Sequence, residues 1–445
     1  MTYQSVDNGD ASRSTRGKGA VDVVDEGAAT SFDEIDGFSA SRRGRRGAAL
    51  VLAVLAVSAV SAISAMRGRA PSQAVGTIPT SMASASAPKV GVKSSPPKYS
   101  ELSPDEVANL FRDFRIKFGK SYKDEAESKM RLEIFKRNLA IIDERNDGSE
   151  RATHGVSMWT DMTEEEFNSF QTYGKISHEA KAYARAKSTP LEELATTSLC
   201  QACDRFPELA QYVDGDLPTS FDWRDYGAVT HVKNQAYCGS CWSFSTTGCL
   251  EGAWYVAGGD LIQLSEQQLV ACDTEWNQGC NGGWPSLAMI YIRDNGGIVP
   301  EKIYPYRKVY MGDLPEPVCA SVVKQGNYAS AVGNEISVSA NTMDEDDIAR
   351  WLILNGPLSV ALDATGMEYY SSGIDMGEYC QTIELDHAVL IVGFGEEDGT
   401  EYWIIKNSWA IWWGEKGYYR LVKGENACGI ADEVTAILID PAATS

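Results

Sequence analysis

The chain opens with three contrasting patterns of apolar and polar residues before its folded part begins. Residues 1–46 are polar, rich in Ser, Gly and Asp, and end in Arg42-Arg43-Gly44-Arg45-Arg46, which reads as a disordered tail. Gly47 to Met66 then run without a charge, apolar on every face and long enough to cross a bilayer as a helix. Residues 67–99 are rich in Pro, Ser, Ala and Thr without a period, the composition of a linker. From Ser103 the period becomes helical, with Leu110, Phe111, Phe114 and Phe118 on one stripe and a second helix expected from about Asp124 to Arg145. Further on, Trp242 to Trp254 has apolar residues at helical spacing with Ser240 as its expected N-cap. Leu385 to Gly395 holds an apolar run, typical of a buried strand.

Charge gives the apolar segment a direction. Four arginines precede it closely and Arg67 and Arg69 follow, a bias that favours a cytosolic N-terminus, the type II orientation of a signal anchor. A cleaved signal peptide is the competing reading, because Ser61-Ala62-Ile63-Ser64-Ala65 offers small residues. The net charge of −22 is concentrated from Leu217 onward, where 31 acidic side chains face 12 basic ones. Such a surface argues against nucleic acid and anionic membrane surfaces as partners, and it loses charge in an acidic compartment. All ten cysteines lie at or after position 200, which suits an oxidising compartment with disulfides. A chain of 445 residues is too long for one compact core.

The chemistry centres on Gln235-Ala236-Tyr237-Cys238-Gly239-Ser240-Cys241-Trp242. A thiol in the first turn of a helix gains from the dipole and from unpaired N–H groups, which lowers its pKa. Cys241 is therefore a candidate nucleophile. The same four residues also fit a structural cysteine or a C-x-x-C redox pair. Zinc shared with Cys200 and Cys203 requires an unusually long gap between the two pairs. A local disulfide or free thiols suit Cys200 and Cys203 better.

In the second predicted helix, Glu127, Arg131, Phe135, Asn138, Ile142 and Asn146 follow at intervals of three and four and share one side. An amphipathic helix accounts for Phe135 and Ile142, but not for two asparagines and an ion pair on the same side. These six residues resemble the E-R-F-N-I-N signature of the inhibitory propeptide in cathepsin L-like peptidases of the papain family. Gly155 to Asp161 resembles that family's G-x-N-x-F-x-D element, with Ser157 and Trp159 as departures. Leu217 to Arg224 resembles its mature N-terminus.

The resemblance implies an α+β, papain-like two-domain fold: a helical domain from about 217 to 325 and a β-barrel-like domain from about 326 to 440. A helical inhibitory prodomain over 100–216 precedes the mature peptidase domain over 217–445. It implies Cys241 as nucleophile and His387, in Asp386-His387-Ala388-Val389, as its base. Asn407 orients the imidazole, Trp409 shields that contact, and Gln235 with the Cys241 N–H forms the oxyanion site. The thiol and imidazole are expected as a thiolate–imidazolium pair. Disulfides Cys238–Cys280, Cys272–Cys319 and Cys380–Cys428 follow by analogy, leaving Cys249 as a buried free thiol. This takes Cys238 out of any redox pair.

The family's substrate groove maps onto Gly282, Gly283, Trp284 and Pro285, with Ala361, Asp386, Ala388, Trp409 and Trp413 around it and Glu433 at the base of the second subsite. Relatives with a carboxylate there accept basic P2 residues, so bulky apolar and basic P2 side chains are both expected. Ala410 and Trp412 depart from the family and alter the primed side. The resemblance implies an endopeptidase acting on proteins and peptides, with its own propeptide as inhibitor. It implies no cofactor, no metal and a monomeric mature enzyme. A membrane-anchored precursor is expected, cut near 214–220, its product in a lysosome-like or other acidic vacuolar lumen or secreted. A catalytically silent binding homologue and a thiol oxidoreductase are the alternatives in other classes.

Overall fold

The computed structural model describes residues 98–171, 173, 177–190, 193–194, 200–307, 336–381 and 384–439. The chain divides into Met1–Pro88 and Lys89–Ser445, and all described residues fall in the second unit. The expected anchor over 47–66 lies outside the described residues, as do the tail and most of the linker. Among the described residues no helix is long and apolar enough to cross a membrane.

The N-terminal part is a helical hairpin. Helix α1 (Pro104–Lys117) starts at a capping box in which Ser103 and Glu106 satisfy each other's backbone N–H, with Pro104 at the first position. Helix α2 (Glu125–Gly148) is capped by Asp124. The two meet through aromatic rings, Phe111 and Phe114 packing on Phe135 at centroid distances of 5.2 and 4.9 Å. The polar members of the predicted motif stitch the following segment to α2. Asn138 Nδ2 donates to the carbonyls of Thr160 and Met162. Asn146 exchanges two hydrogen bonds with the backbone of His154. Arg131 reaches Glu166 and the Asp161 carbonyl.

Strand β1 (Ala152–His154) then leaves the hairpin and pairs antiparallel with β5 (Tyr370–Asp375). The short helix α3 (Glu164–Asn168) follows, and after it α4 (His178–Lys187) packs on α7 (Pro285–Asp294). Two tight helical turns, Gln201–Asp204 and Pro207–Tyr212, complete the approach to Leu217.

Beyond Leu217 lie a helical lobe and a sheet lobe. Helix α5 (Cys241–Val256) is buried on nearly every side, so the apolar stripe expected from sequence proves to be a helix enclosed all round. Gly252 permits this, since a Cβ there would stand 2.6 Å from Pro357. Helices α6 (Glu266–Cys272) and α7 flank it.

The sheet runs in the order β1-β5-β8-β7-β6-β4-β9-β3, with the short β2 (Phe221–Asp222) added to β6. Its strands are β3 (Ile336–Asn341), β4 (Leu358–Leu362), β5, β6 (His387–Glu397), β7 (Thr400–Lys406), β8 (Tyr418–Val422) and β9 (Val434–Ile439). Helix α8 (Glu345–Asn355) covers one face. All pairings are antiparallel except β5 with β8. The expected strand at Leu385–Gly395 is β6, its first nine residues buried, and its first residue is His387.

Candidate active site

The start of α5 and the start of β6 meet where the two lobes join. Cys241 is the first residue of α5 and is fully buried. Ser240 holds the N-cap position but caps nothing with its side chain. Its hydroxyl instead pairs with the Tyr306 phenol at 2.8 Å, which leaves the first N–H groups of the helix without a cap from Ser240. The Cys241 sulfur receives backbone hydrogen bonds from Ala388, the residue after His387, and from the start of its own helix.

His387 Nε2 lies 2.9 Å from Asn407 Oδ1, and the Ser408 N–H donates to that same oxygen at 2.7 Å, fixing the amide's orientation. Nδ1 of His387 has no hydrogen-bond partner. The Trp409 ring stacks on the imidazole at 4.8 Å and 27°, closing it from solvent. Trp409 is held in turn by Trp413 at 4.9 Å, and Trp413 donates from its indole to the Met367 carbonyl.

Burial governs the titration of both groups. The Cys241 thiol is pushed up to about 12 by desolvation, and the His387 imidazole is pushed down to about 4 by the same cause, with Asn407 opposing. In this closed form burial therefore works against the thiolate–imidazolium pair expected from sequence, disfavouring charge on both groups. The cause is a cover: the N-terminal segment excludes water from both.

Gln235, 1% exposed, is gripped from two sides. The Ser408 hydroxyl donates to Oε1 at 2.6 Å and Nε2 donates to the Cys238 carbonyl at 3.0 Å. The second hydrogen on Nε2 remains for another acceptor. Cys238 is bonded to Cys280, and this tie joins the loop before α5 to the Gly279–Trp284 strip. Gly283 must be a glycine, because a Cβ would stand 2.6 Å from Trp242 and 2.7 Å from Asn277.

Ala361, Ala388 and Trp284 form one apolar cluster with Cys241 and Leu287. Pro285 begins α7 beside them, and Glu433 precedes β9 with its carbonyl bonded to the Ala361 N–H. Into this cluster projects Tyr173 of the N-terminal segment, 3% exposed. Its hydroxyl accepts from the Trp284 indole and donates to Glu433, while its own N–H donates to the Asp386 carbonyl at 2.9 Å. Lys181 lies 5.2 Å from the Trp284 ring centre. Burial pushes the Glu433 carboxyl up to about 7, with Tyr173, Lys181 and Arg185 pulling the other way.

The departures from the resemblance have structural consequences. Trp159 places its ring edge-on to Trp409 at 5.5 Å, so the segment before α3 presses on the ring that covers His387. Ser157 turns the chain there by accepting from the Trp159 N–H. Ala410 has φ of 65°, the left-handed region where glycine fits best, and Ile411 and Trp412 are exposed.

The other cysteines sort as follows. Cys380 bonds Cys428, and Cys200 bonds Cys203, so neither of the latter is a zinc ligand. Cys272 is disulfide-bonded, while Cys319 lies outside the described residues. Cys249 is a buried free thiol, and desolvation pushes it up to about 12.

Three features had gone unread in the sequence. Ser408 and Tyr306 lock Gln235 through its side chain and its carbonyl, and single polar residues carry no signal for that. Tyr173 sits in an irregular stretch with no period to betray it. Beneath the site Lys233 bridges Glu251 and Glu266, and Lys406, pushed down to about 8 by burial, donates to Thr230. That network gathers residues from four distant parts of the chain.

Fold and site together define a class: a two-lobed thiol hydrolase closed over by an N-terminal segment of its own chain. Residues 217–438 match the family model described as papain family cysteine protease, and residues 111–167 match the cathepsin propeptide inhibitor domain. The chain is 38% identical to cysteine proteinase 15A of Pisum sativum over 342 residues, which is 74% of this chain and 85% of that one. It is also 38% identical to digestive cysteine proteinase 1 of Homarus americanus, over 73% of this chain and 92% of that one. Among solved structures it is similar to digestive procathepsin L 3 of the Tenebrio molitor larval midgut, with a TM-score of 0.61 and 33% identity over 75% of this chain and 99% of that one. The chain belongs to the papain family of cysteine proteases and carries that family's inhibitory propeptide.

Proposed function

We propose that this protease is an endopeptidase made as a membrane-anchored zymogen, with Cys241 as nucleophile. The observation that carries the reading is the His387–Asn407 contact under Trp409, at the point where β6 delivers its first residue beside the start of α5. Once the cover is gone, water and substrate reach the pair, and the desolvation that disfavours charge on thiol and imidazole is relieved. Cys241 then transfers its proton to His387 Nδ1, the nitrogen without a partner.

The thiolate adds to the scissile carbonyl carbon, and the second Gln235 Nε2 hydrogen with the Cys241 N–H receives the oxyanion. Collapse breaks the C–N bond as His387 hands its proton to the leaving amine, which leaves an acyl-thioester. His387 next takes a proton from water, the hydroxide releases the acid product, and the thiol is restored. Asn407 keeps Nε2 engaged throughout, so Nδ1 faces the sulfur at each step.

The second subsite takes bulky apolar and basic P2 side chains, a reading supported by what occupies it here. Tyr173 shows that a large ring fits against Trp284, Ala361 and Ala388, and Glu433 supplies a carboxyl at its far end. The inhibitory part lies within 100–216 and leaves to open the cleft. Anchoring rests on the charge-free run from Gly47 to Met66, in a type II precursor whose active product works as a monomer in an acidic vacuolar lumen or outside the cell. A peptidyl epoxide tests the catalytic reading: it should modify Cys241 in the activated enzyme and fail to do so in His387→Ala.

A further inference from the structure

Residues 200–216 follow a different course from the rest of the segment before Leu217. Tyr173, Trp159 and α4 lie over the cleft. The stretch from Cys200 runs along the opposite side of the mature domain and touches none of Gln235, Cys241, His387, Asn407, Trp409 or Glu433 through its bonds.

Its attachments are numerous and sheltered. The Gln201 side chain donates to the Ile439 carbonyl at 2.5 Å and accepts from the Ile439 N–H at 3.3 Å, extending β9 as a strand neighbour would. The Gln201 N–H donates to Asn355 Oδ1 at the end of α8. Arg205 donates to the carbonyls of Tyr255 and Gly259 at 2.7 and 2.9 Å, with its guanidinium 3.7 Å from the Tyr255 ring centre. Those carbonyls lie at and just beyond the C-terminus of α5, the helix that begins with Cys241, so Arg205 caps it with a cation where the dipole favours one.

Phe206 fills the space between Trp223, Tyr226 and Tyr255 at 5.8, 5.2 and 6.4 Å. Leu209 and Ala202 are buried in the main core. Arg350 of α8 donates to the Tyr212 and Gly215 carbonyls at 2.6 and 2.9 Å. The Cys200–Cys203 bond closes the turn that presents Gln201.

We propose that residues 200–216 are a permanent part of the active peptidase, an N-terminal brace kept after the inhibitory segment is released, with the activating cut N-terminal to Cys200. The sequence resemblance suggested a cut near 214–220. Removing the brace there would strip α5 of its C-terminal cation and expose three aromatic rings, while doing nothing to open the cleft. The proposal rests on the peptidase reading above, but the two fail in separate ways. Loss of peptide hydrolysis sinks the reading, and the N-terminus of the active species decides the brace.

The full-length lumenal protein is activated at acid pH, the active species is tagged with a biotinylated peptidyl epoxide, and its N-terminus and intact mass are determined. An N-terminus at or before Cys200, with Cys200 and Cys203 still bonded, is expected. An N-terminus between Gln201 and Ser220 overturns the proposal. A second measurement compares activated wild type with activated Arg205→Ala. A brace that stays predicts that the variant melts lower by at least about 2 °C while kcat/KM at low temperature is kept. Identical melting of the two activated forms overturns it, because Arg205 would then have left with the inhibitory segment.

Discussion

The Tyr173 phenol donates to the Glu433 carboxyl, inside the pocket proposed above for a substrate's P2 side chain. One residue of the inhibitory segment thereby occupies the pocket and uses its polar end. Replacing Tyr173 by Phe keeps the ring and removes the hydrogen bond. A bond to a charged or ionisable partner contributes roughly 1.5–3 kcal/mol, so activation of the Tyr173→Phe zymogen should be at least about tenfold faster at neutral pH. The rate of appearance of reporter hydrolysis measures this, and an unchanged rate would show that the contact contributes nothing to closure.

The same pocket makes a specificity prediction for the open enzyme. Ionised Glu433 attracts a guanidinium, so hydrolysis of an Arg-Arg reporter relative to a Phe-Arg reporter should rise as pH rises through the titration of that carboxyl. In Glu433→Ala the rise should vanish and the ratio should fall about tenfold, with Phe-Arg hydrolysis retained. Equal discrimination in both enzymes would mean that Glu433 faces solvent once Tyr173 has left.

His154 gives the closed form a built-in sensitivity to acid. It sits on β1 against β5, 3% exposed, with neither ring nitrogen hydrogen-bonded. Burial pushes its pKa down to about 4; Arg145 on α2 adds to this, Asp375 on β5 opposes it, and Tyr379 meets the ring edge-on at 6.0 Å. A pKa depressed in the closed state means that the released segment binds the proton more readily. Closure is therefore fully stable above about 6.5 and weakens as pH falls toward about 4, by roughly 3 kcal/mol. The pH profile of activation should flatten across that window in His154→Phe. A wild-type profile in that variant would move the acid response to other groups.

Gln235 is held by Ser408 and Cys238 with one amide hydrogen to spare. Gln235→Ala should lower kcat about 10²–10³-fold, as loss of one oxyanion donor does, with KM little changed. Ser408→Ala frees the amide to rotate and should lower kcat by a smaller factor. If KM rises instead in Gln235→Ala, the side chain binds ground-state substrate.

How much of this was legible in the sequence depends on whether a contact has a periodic or motif signature. The six residues from Glu127 to Asn146 share one side of a helix, so their spacing alone announced α2, and the apolar run around His387 announced β6. Ser240 marked the start of α5 but not its own partner, since whether a hydroxyl caps or turns to Tyr306 depends on a residue 66 positions away. The burial that disfavours charge on Cys241 and His387 was illegible because it comes from water exclusion by a cover, which no local pattern records. Tyr173 was missed for the same reason: the pocket that gives it meaning is assembled from Trp284, Ala388 and Glu433, all more than a hundred residues away.

In the proposed mechanism Cys241 performs peptide hydrolysis and is silenced by the segment lying over it. The full-length lumenal protein and its Cys241→Ala variant are held at neutral and at acid pH, with a Phe-Arg reporter and a peptidyl epoxide present, and the modified residue is located by peptide mass. No hydrolysis or labelling is expected at neutral pH, then hydrolysis after acidification together with one inhibitor on Cys241, both absent from the variant. Hydrolysis by Cys241→Ala, or modification at Cys249 in place of Cys241, would contradict it.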